Sequence, residues 1–132
     1  MARLFNVEVF NQTISGDASP PVYYSQREQQ GTLGGADLIY VQVIIEGITD
    51  VTGAFSVTYQ ISNTANEDEW IDSGKTLSAT PGGLTNTTLP KSYFFLVDNS
   101  NGGMLGAFGR FKVTWSKNSM ATIRIIACGH SN

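Results

Sequence analysis

Apolar residues recur at every second position through much of this chain, and that period constrains its fold more than any other feature. The pattern is clearest near the C-terminus. Phe111, Val113 and Trp115 alternate with Arg110, Lys112, Thr114 and Ser116, while Ala121, Ile123, Ile125 and Ala127 alternate with Thr122, Arg124, Ile126 and Cys128. Successive strand side chains point to opposite faces, so both segments read as half-buried strands. Lys117-Asn118-Ser119 supplies turn chemistry between them, and a hairpin from Phe108 to Cys128 is expected. If its apolar faces coincide, cross-strand partners must sum to an even number. That excludes a two-residue loop and puts 113 opposite 123. Lys112 then faces Arg124, with Arg110 one pleat away. Like charges so placed repel; the cluster is either solvated surface or a site for an acidic partner.

The remaining chain keeps the same period. Phe5, Val7 and Val9 share one side of a first strand, Arg3 to Phe10, and Val22 to Ser25 is a short strand. In Leu38 to Glu46, Ile39, Val41, Val43 and Ile45 form one apolar face, and Leu38, Tyr40 and Ile44 make most of the other face apolar too. A strand apolar on both sides is expected to be central and covered twice. Ala54 to Ser62 alternates through Phe55, Val57, Tyr59 and Ile61 and reads as a clean antiparallel neighbour. Lys75 to Leu77 is a brief strand, Ser78 to Pro90 a long Gly/Thr/Asn-rich loop, and Tyr93 to Val97 a second strand apolar on both faces. Helical periodicity never lasts more than a turn or two. Short strands at roughly 8–12-residue spacing predict an all-β, single-domain antiparallel β-sandwich, jelly-roll-like or a small barrel. The domain is expected to span residues 1–132, with a polar C-terminal tail at about 129–132.

Composition narrows the function. Charged residues make up 14% of the chain, well below the usual quarter or so, and Ser, Thr, Asn and Gly carry the polarity instead. A net charge of -3 argues against general nucleic-acid binding. No apolar run reaches membrane-spanning length. Asn6 and Glu8 interrupt the apolar stretch that a signal peptide would need, and the lone Cys128 excludes an internal disulfide. Synthesis in a cytosol is the expectation. Charge is also segregated: residues 99–132 carry Arg110, Lys112, Lys117 and Arg124 with no acid, giving +4, and the rest of the chain carries -7. Such asymmetry points to steering of assembly.

Chemistry is sparse. His130, third from last in a polar end, is expected in a disordered tail, where neither zinc ligation nor a Ser-His-Asp arrangement would be anchored. Cys128 reads as a small apolar residue ending a strand. Asp68, Glu69 and Asp72, with Asn63 and Asn66, offer oxygen ligands, but their spacing is not that of an EF-hand, and a solvated acidic loop is expected. Nothing indicates a cleft for Glu69 and Asp72 as a glycosidase pair. Gly31-Thr32-Leu33-Gly34-Gly35 lacks the Lys-Ser/Thr of a phosphate loop, and the Asn11 and Asn86 glycosylation patterns read as chance. No catalytic residue, cofactor or metal is predicted. Trp70, Tyr23, Tyr24 and Tyr93 could form a sugar platform, and Trp70 with Asp68 or Asp72 would be a glycan contact.

The run Ala54 to Asn63, followed by an acidic loop reaching Trp70, resembles a strand–loop–Trp pattern of small β-sandwich proteins in tailed-bacteriophage virions. In size and Gly/Ser/Thr/Asn texture the chain is similar to phage capsid decoration (cement) proteins, mostly over residues 38–72 and the last two strands. The resemblance implies a non-enzymatic, often trimeric protein on the capsid exterior that clamps neighbouring capsomers. It brings no catalytic residues. The residues themselves point to an oligomer, a trimer being preferred, that docks on a larger assembly; the resemblance implies that this assembly is the lattice of a major capsid protein, and the rival reading is a glycan-binding module on a phage fibre or tail. The expected interface comprises the cations Arg110, Lys112 and Arg124 and the apolar Leu38, Tyr40, Ile44, Phe94 and Leu96.

Overall fold

The computed structural model describes residues 2–17, 22–25, 37–48, 55–64, 66–79, 89–98, 108–115 and 120–131 (backbone only at 2–5, 75, 78–79 and 131). Every regular element among them is a strand: β1 (Ala2–Ser15), β2 (Val22–Tyr24), β3 (Leu38–Ile48), β4 (Phe55–Ser62), β5 (Ile71–Ala79), β6 (Lys91–Asp98), β7 (Phe108–Trp115) and β8 (Met120–Ser131). They form two four-stranded sheets, β1-β8-β3-β6 and β2-β7-β4-β5, antiparallel throughout. Pairing follows one rule: β1 with β8, β2 with β7, β3 with β6 and β4 with β5. A long ribbon folded back on itself and wrapped into two layers has this order, which makes the sandwich a jelly roll. The small barrel is not what forms.

The apolar alternation places the core between the layers. Ile39, Val41, Val43 and Ile45 of β3 and Ile123, Ile125 and Ala127 of β8 are fully buried, as are Val57 and Tyr59 of β4 and Phe111 and Val113 of β7 in the facing sheet. Covering one such side chain stabilises by roughly 1.5–3 kcal/mol, so these four strands dominate the apolar contribution to folding. Tyr59 packs against Phe111 with ring centroids 5.3 Å apart. Its ring lies so close to Gly109 that a Cβ there would run into the phenol. Burial pushes the Tyr59 phenol well above its ordinary range.

Several expectations are corrected. The hairpin from Phe108 to Cys128 does not form, because β7 and β8 lie in different sheets. Val113 pairs with Tyr23 and Val57, and Ile123 with Gln12 and Ile45, so 113 does not oppose 123. The apolar faces do coincide, but across the sandwich. Lys112 and Arg124 therefore sit on opposite outer surfaces, and the repulsion disappears. Likewise β4 neighbours β5 and β7, not β3. The short strand expected at 75–77 runs from Ile71 to Ala79. Residues 129–131 of the expected C-terminal tail are strand: His130 pairs with Arg3 on one side and Leu38 on the other. The turn at 117–119, the glycine stretch 31–35 and the pattern beginning at Asn86 lie outside the described residues.

Strand β1 also runs longer than expected, and a bulge explains how. Its register on β8 shifts between Glu8 and Phe10. An extra residue reverses the face of everything beyond it. Val9 and Phe10 are accordingly both buried, Ile14 points inward, and Thr13 turns outward to share a 2.9 Å hydrogen bond with the Thr122 hydroxyl. Without the bulge Phe10 and Ile14 would face solvent.

Candidate functional site

With the odd-numbered residues of β3 and β8 in the core, their even-numbered residues form the outer surface of the β1-β8-β3-β6 sheet. Cross-strand register assembles it in rows: Leu96, Tyr40, Cys128 and Asn6 in one, then Phe94, Gln42, Ile126 and Glu8 in the next. Phe94 is 69% exposed, Tyr40 49% and Leu96 40%. Between the two rows lies a depression of about 120 Å³ lined by Asn6, Tyr40, Gln42, Phe94, Ile126 and Cys128. Its margin is fixed by short contacts. Gln42 Nε2 donates to Ser92 Oγ at 3.1 Å, the Tyr40 ring meets His130 edge-on at 5.5 Å, and Cys128 Sγ lies 3.4 Å from His130 Nε2.

A charged group adjoins this apolar surface. Arg124 donates through Nε to Glu8 Oε1 at 2.6 Å and through Nη1 to Glu46 Oε1 at 3.0 Å. The hydrogen bonds to Glu8 and then Glu46 raise the Arg124 guanidinium above its ordinary value. Arg124 thus takes its acidic partners from the chain's own earlier strands β1 and β3.

The outer surface of the other sheet is built differently. Arg110 is only 5% exposed and lies between two rings, 3.9 Å from the Tyr24 centroid and 4.4 Å from that of Trp70. Its Nε donates to Gln60 Oε1 at 2.8 Å, and Gln60 Nε2 donates to Asp72 Oδ1 at 2.8 Å. Glu67, on the exposed turn above, approaches Arg110 Nη1 at 3.8 Å. Burial lowers the Arg110 pKa, with Tyr24 and Glu67 opposing that shift; a guanidinium stays charged regardless. The turn carrying Trp70 is pinned in its turn. Thr64 Oγ1 and Asn66 Nδ2 donate to the Glu69 carboxylate at 2.7 and 2.9 Å, holding Glu69 below its ordinary value.

The expected interface residues therefore divide. Leu38, Tyr40, Ile44, Phe94, Leu96 and Arg124 share the outer face of the first sheet, with Leu38 and Ile44 half-buried. Arg110 and Lys112 belong to the second sheet, where Arg110 is enclosed and Lys112 is half-buried, paired in register with Tyr24 and Thr58. Of the glycan candidates, Asp68 is exposed, Asp72 accepts from Gln60, and Trp70 gives one ring face to Arg110. Sequence reasoning missed Ile126 and Cys128 as members of the apolar surface, although both share their parity with Arg124. Among the described residues no cluster of three His, Cys, Asp or Glu side chains could hold a metal, and no helix is long and apolar enough to cross a membrane. The chain matches no family model, no curated protein and no solved structure.

Proposed function

We propose that this protein is a non-enzymatic structural module, an oligomeric jelly-roll subunit that docks on a larger protein assembly through the outer face of its β1-β8-β3-β6 sheet. The observation that carries the reading is the open apolar surface of Tyr40, Phe94 and Leu96 on two neighbouring strands. Contiguous apolar surface of this kind on a small domain marks an interaction site, and covering each large side chain is worth roughly 1.5–3 kcal/mol. The resemblance to phage decoration proteins makes a capsid exterior the assembly to test, and the jelly roll is a fold that virion proteins use. Lectins use it too, but the glycan reading has less support, since Arg110 already covers one face of Trp70.

Co-sedimentation of the purified chain with undecorated capsid shells of its source virus tests the proposal. Binding is expected, with loss in Tyr40→Lys and retention in Lys112→Glu, which changes the opposite sheet. Wild-type chain left in the supernatant, or Tyr40→Lys bound as well as wild type, overturns it.

A further inference from the structure

The face proposed for docking carries a charge that its own residues do not balance. Arg124 holds Glu8 at 2.6 Å and Glu46 at 3.0 Å, each through Oε1 alone. Two carboxylates against one guanidinium leave one negative charge over. Lys91, the sheet's other cation among the described side chains, does not join the group. It lies over the Tyr93 ring instead, 5.8 Å from the centroid.

This charge adjoins the apolar depression. Glu8 pairs in register with Ile126, which forms part of the lining, and directly opposed strand residues have Cβ atoms about 4.5–5.5 Å apart. Two further features of the lining bear on what could balance the charge. Gln42 donates through Nε2 to Ser92, and no described residue donates to its Oε1, so an acceptor is left at the depression. Phe94, the cross-strand partner of Gln42, is 69% exposed and keeps its ring open to solvent. An open aromatic ring, an amide oxygen and an unbalanced carboxylate thus surround one apolar hollow. Their complement is a side chain with an aliphatic stem and a flat cationic head.

We propose that the depression between Tyr40 and Phe94 takes an arginine side chain of the partner protein. Its stem lies against Ile126 and Phe94, and its guanidinium donates to Gln42 Oε1 and the Glu8 carboxylate. The inference rests on the docking reading and specifies the partner: a segment in which arginine stands among apolar residues. An acidic segment would be repelled by the same charge. A lysine would lack the planar fork that can stack on a ring while it hydrogen-bonds at its edge.

The test titrates nitrogen-labelled full-length chain with an acetylated leucine-arginine-leucine amide and follows the backbone amide resonances. Shifts are expected at Glu8, Gln42, Phe94 and Ile126. The same peptide with citrulline for arginine keeps the shape without the charge, and should bind about fivefold more weakly. Arg124→Gln removes the cation of the acidic group and should tighten the arginine peptide, whereas a merely structural Arg124 would give weaker binding on its loss. Glu46→Gln neutralises the group and should weaken the peptide. No shift in wild type, shifts confined to the other sheet, equal affinity for the two peptides, or weaker binding by Arg124→Gln overturns the inference. Shell binding is measured separately. Shells bound without the peptide would remove the arginine and leave the docking reading, and the peptide bound without shells would do the reverse.

Discussion

The two outer surfaces of this jelly roll follow different rules. On the β2-β7-β4-β5 sheet a cation that a strand should show to water is instead enclosed by Tyr24 and Trp70 and tied to Gln60. Trp70 and Glu67, from the turn before β5, cover that cation. On the β1-β8-β3-β6 sheet the large side chains Phe94, Tyr40 and Leu96 stay open, and the charged residues nearby are spent on each other. One face is finished by the protomer and the other is not.

The largest expected effect falls on the finished face. Arg110→Ala removes two ring stacks and leaves Gln60 without its donor, which should cost about 2–3 kcal/mol in urea unfolding. Arg110→Lys should recover only part of this, because an ammonium lacks the planar fork that fills the gap between two rings. An Arg110→Ala variant as stable as wild type would erase the contrast between the faces.

The complementary substitution should do little to the fold. Phe94→Lys changes an exposed position and should alter unfolding free energy by less than about 0.5 kcal/mol. A loss of several times that size would mean that the apolar surface is needed inside the protomer, and the comparison would fail from the other side.

The smallest effect sharpens the account of the pinned turn. Hydrogen bonds from Thr64 and Asn66 hold the Glu69 carboxyl below its ordinary value of 4.5. A depressed folded pKa gives stability that is present above the unfolded value and is lost as pH falls through the folded one. The turn should therefore loosen only below pH 4.5, and Thr64→Val should move the Glu69 titration, followed by carboxyl NMR, upward. An unchanged midpoint in Thr64→Val would remove the Thr64 hydroxyl from the account.

Much of this architecture was legible in the alternation itself. Ile39, Val41, Val43 and Ile45, and equally Phe55, Val57, Tyr59 and Ile61, were placed on a buried face by period alone, and they are buried. Period says which way a side chain points, however, and not which strand lies beside it. Phe111-Val113-Trp115 and Ala121-Ile123-Ile125 satisfy the same parity whether joined in a hairpin or facing each other across a core, and the second arrangement is the one adopted. The Arg110 enclosure was illegible for a related reason. Tyr24, Trp70 and Arg110 are far apart in sequence and meet only through the pairing of β2 with β7 and the return of the acidic turn. The apolar surface was half legible: its β3 and β6 members stood out as a second greasy face, while Ile126 was hidden among polar neighbours of its own strand.

The ribbon order has a consequence for how such a chain is made. Strand β8, the last of the eight described strands to leave a ribosome, is inserted between β1, the first of them, and β3. Until it arrives, the leading strand has no ladder to join, and the β3–β6 pair has an open flank on each side. Closure is thus deferred until the other described strands have all been made, and the nascent polypeptide spends that interval with the flanks of β1 and β3 uncovered.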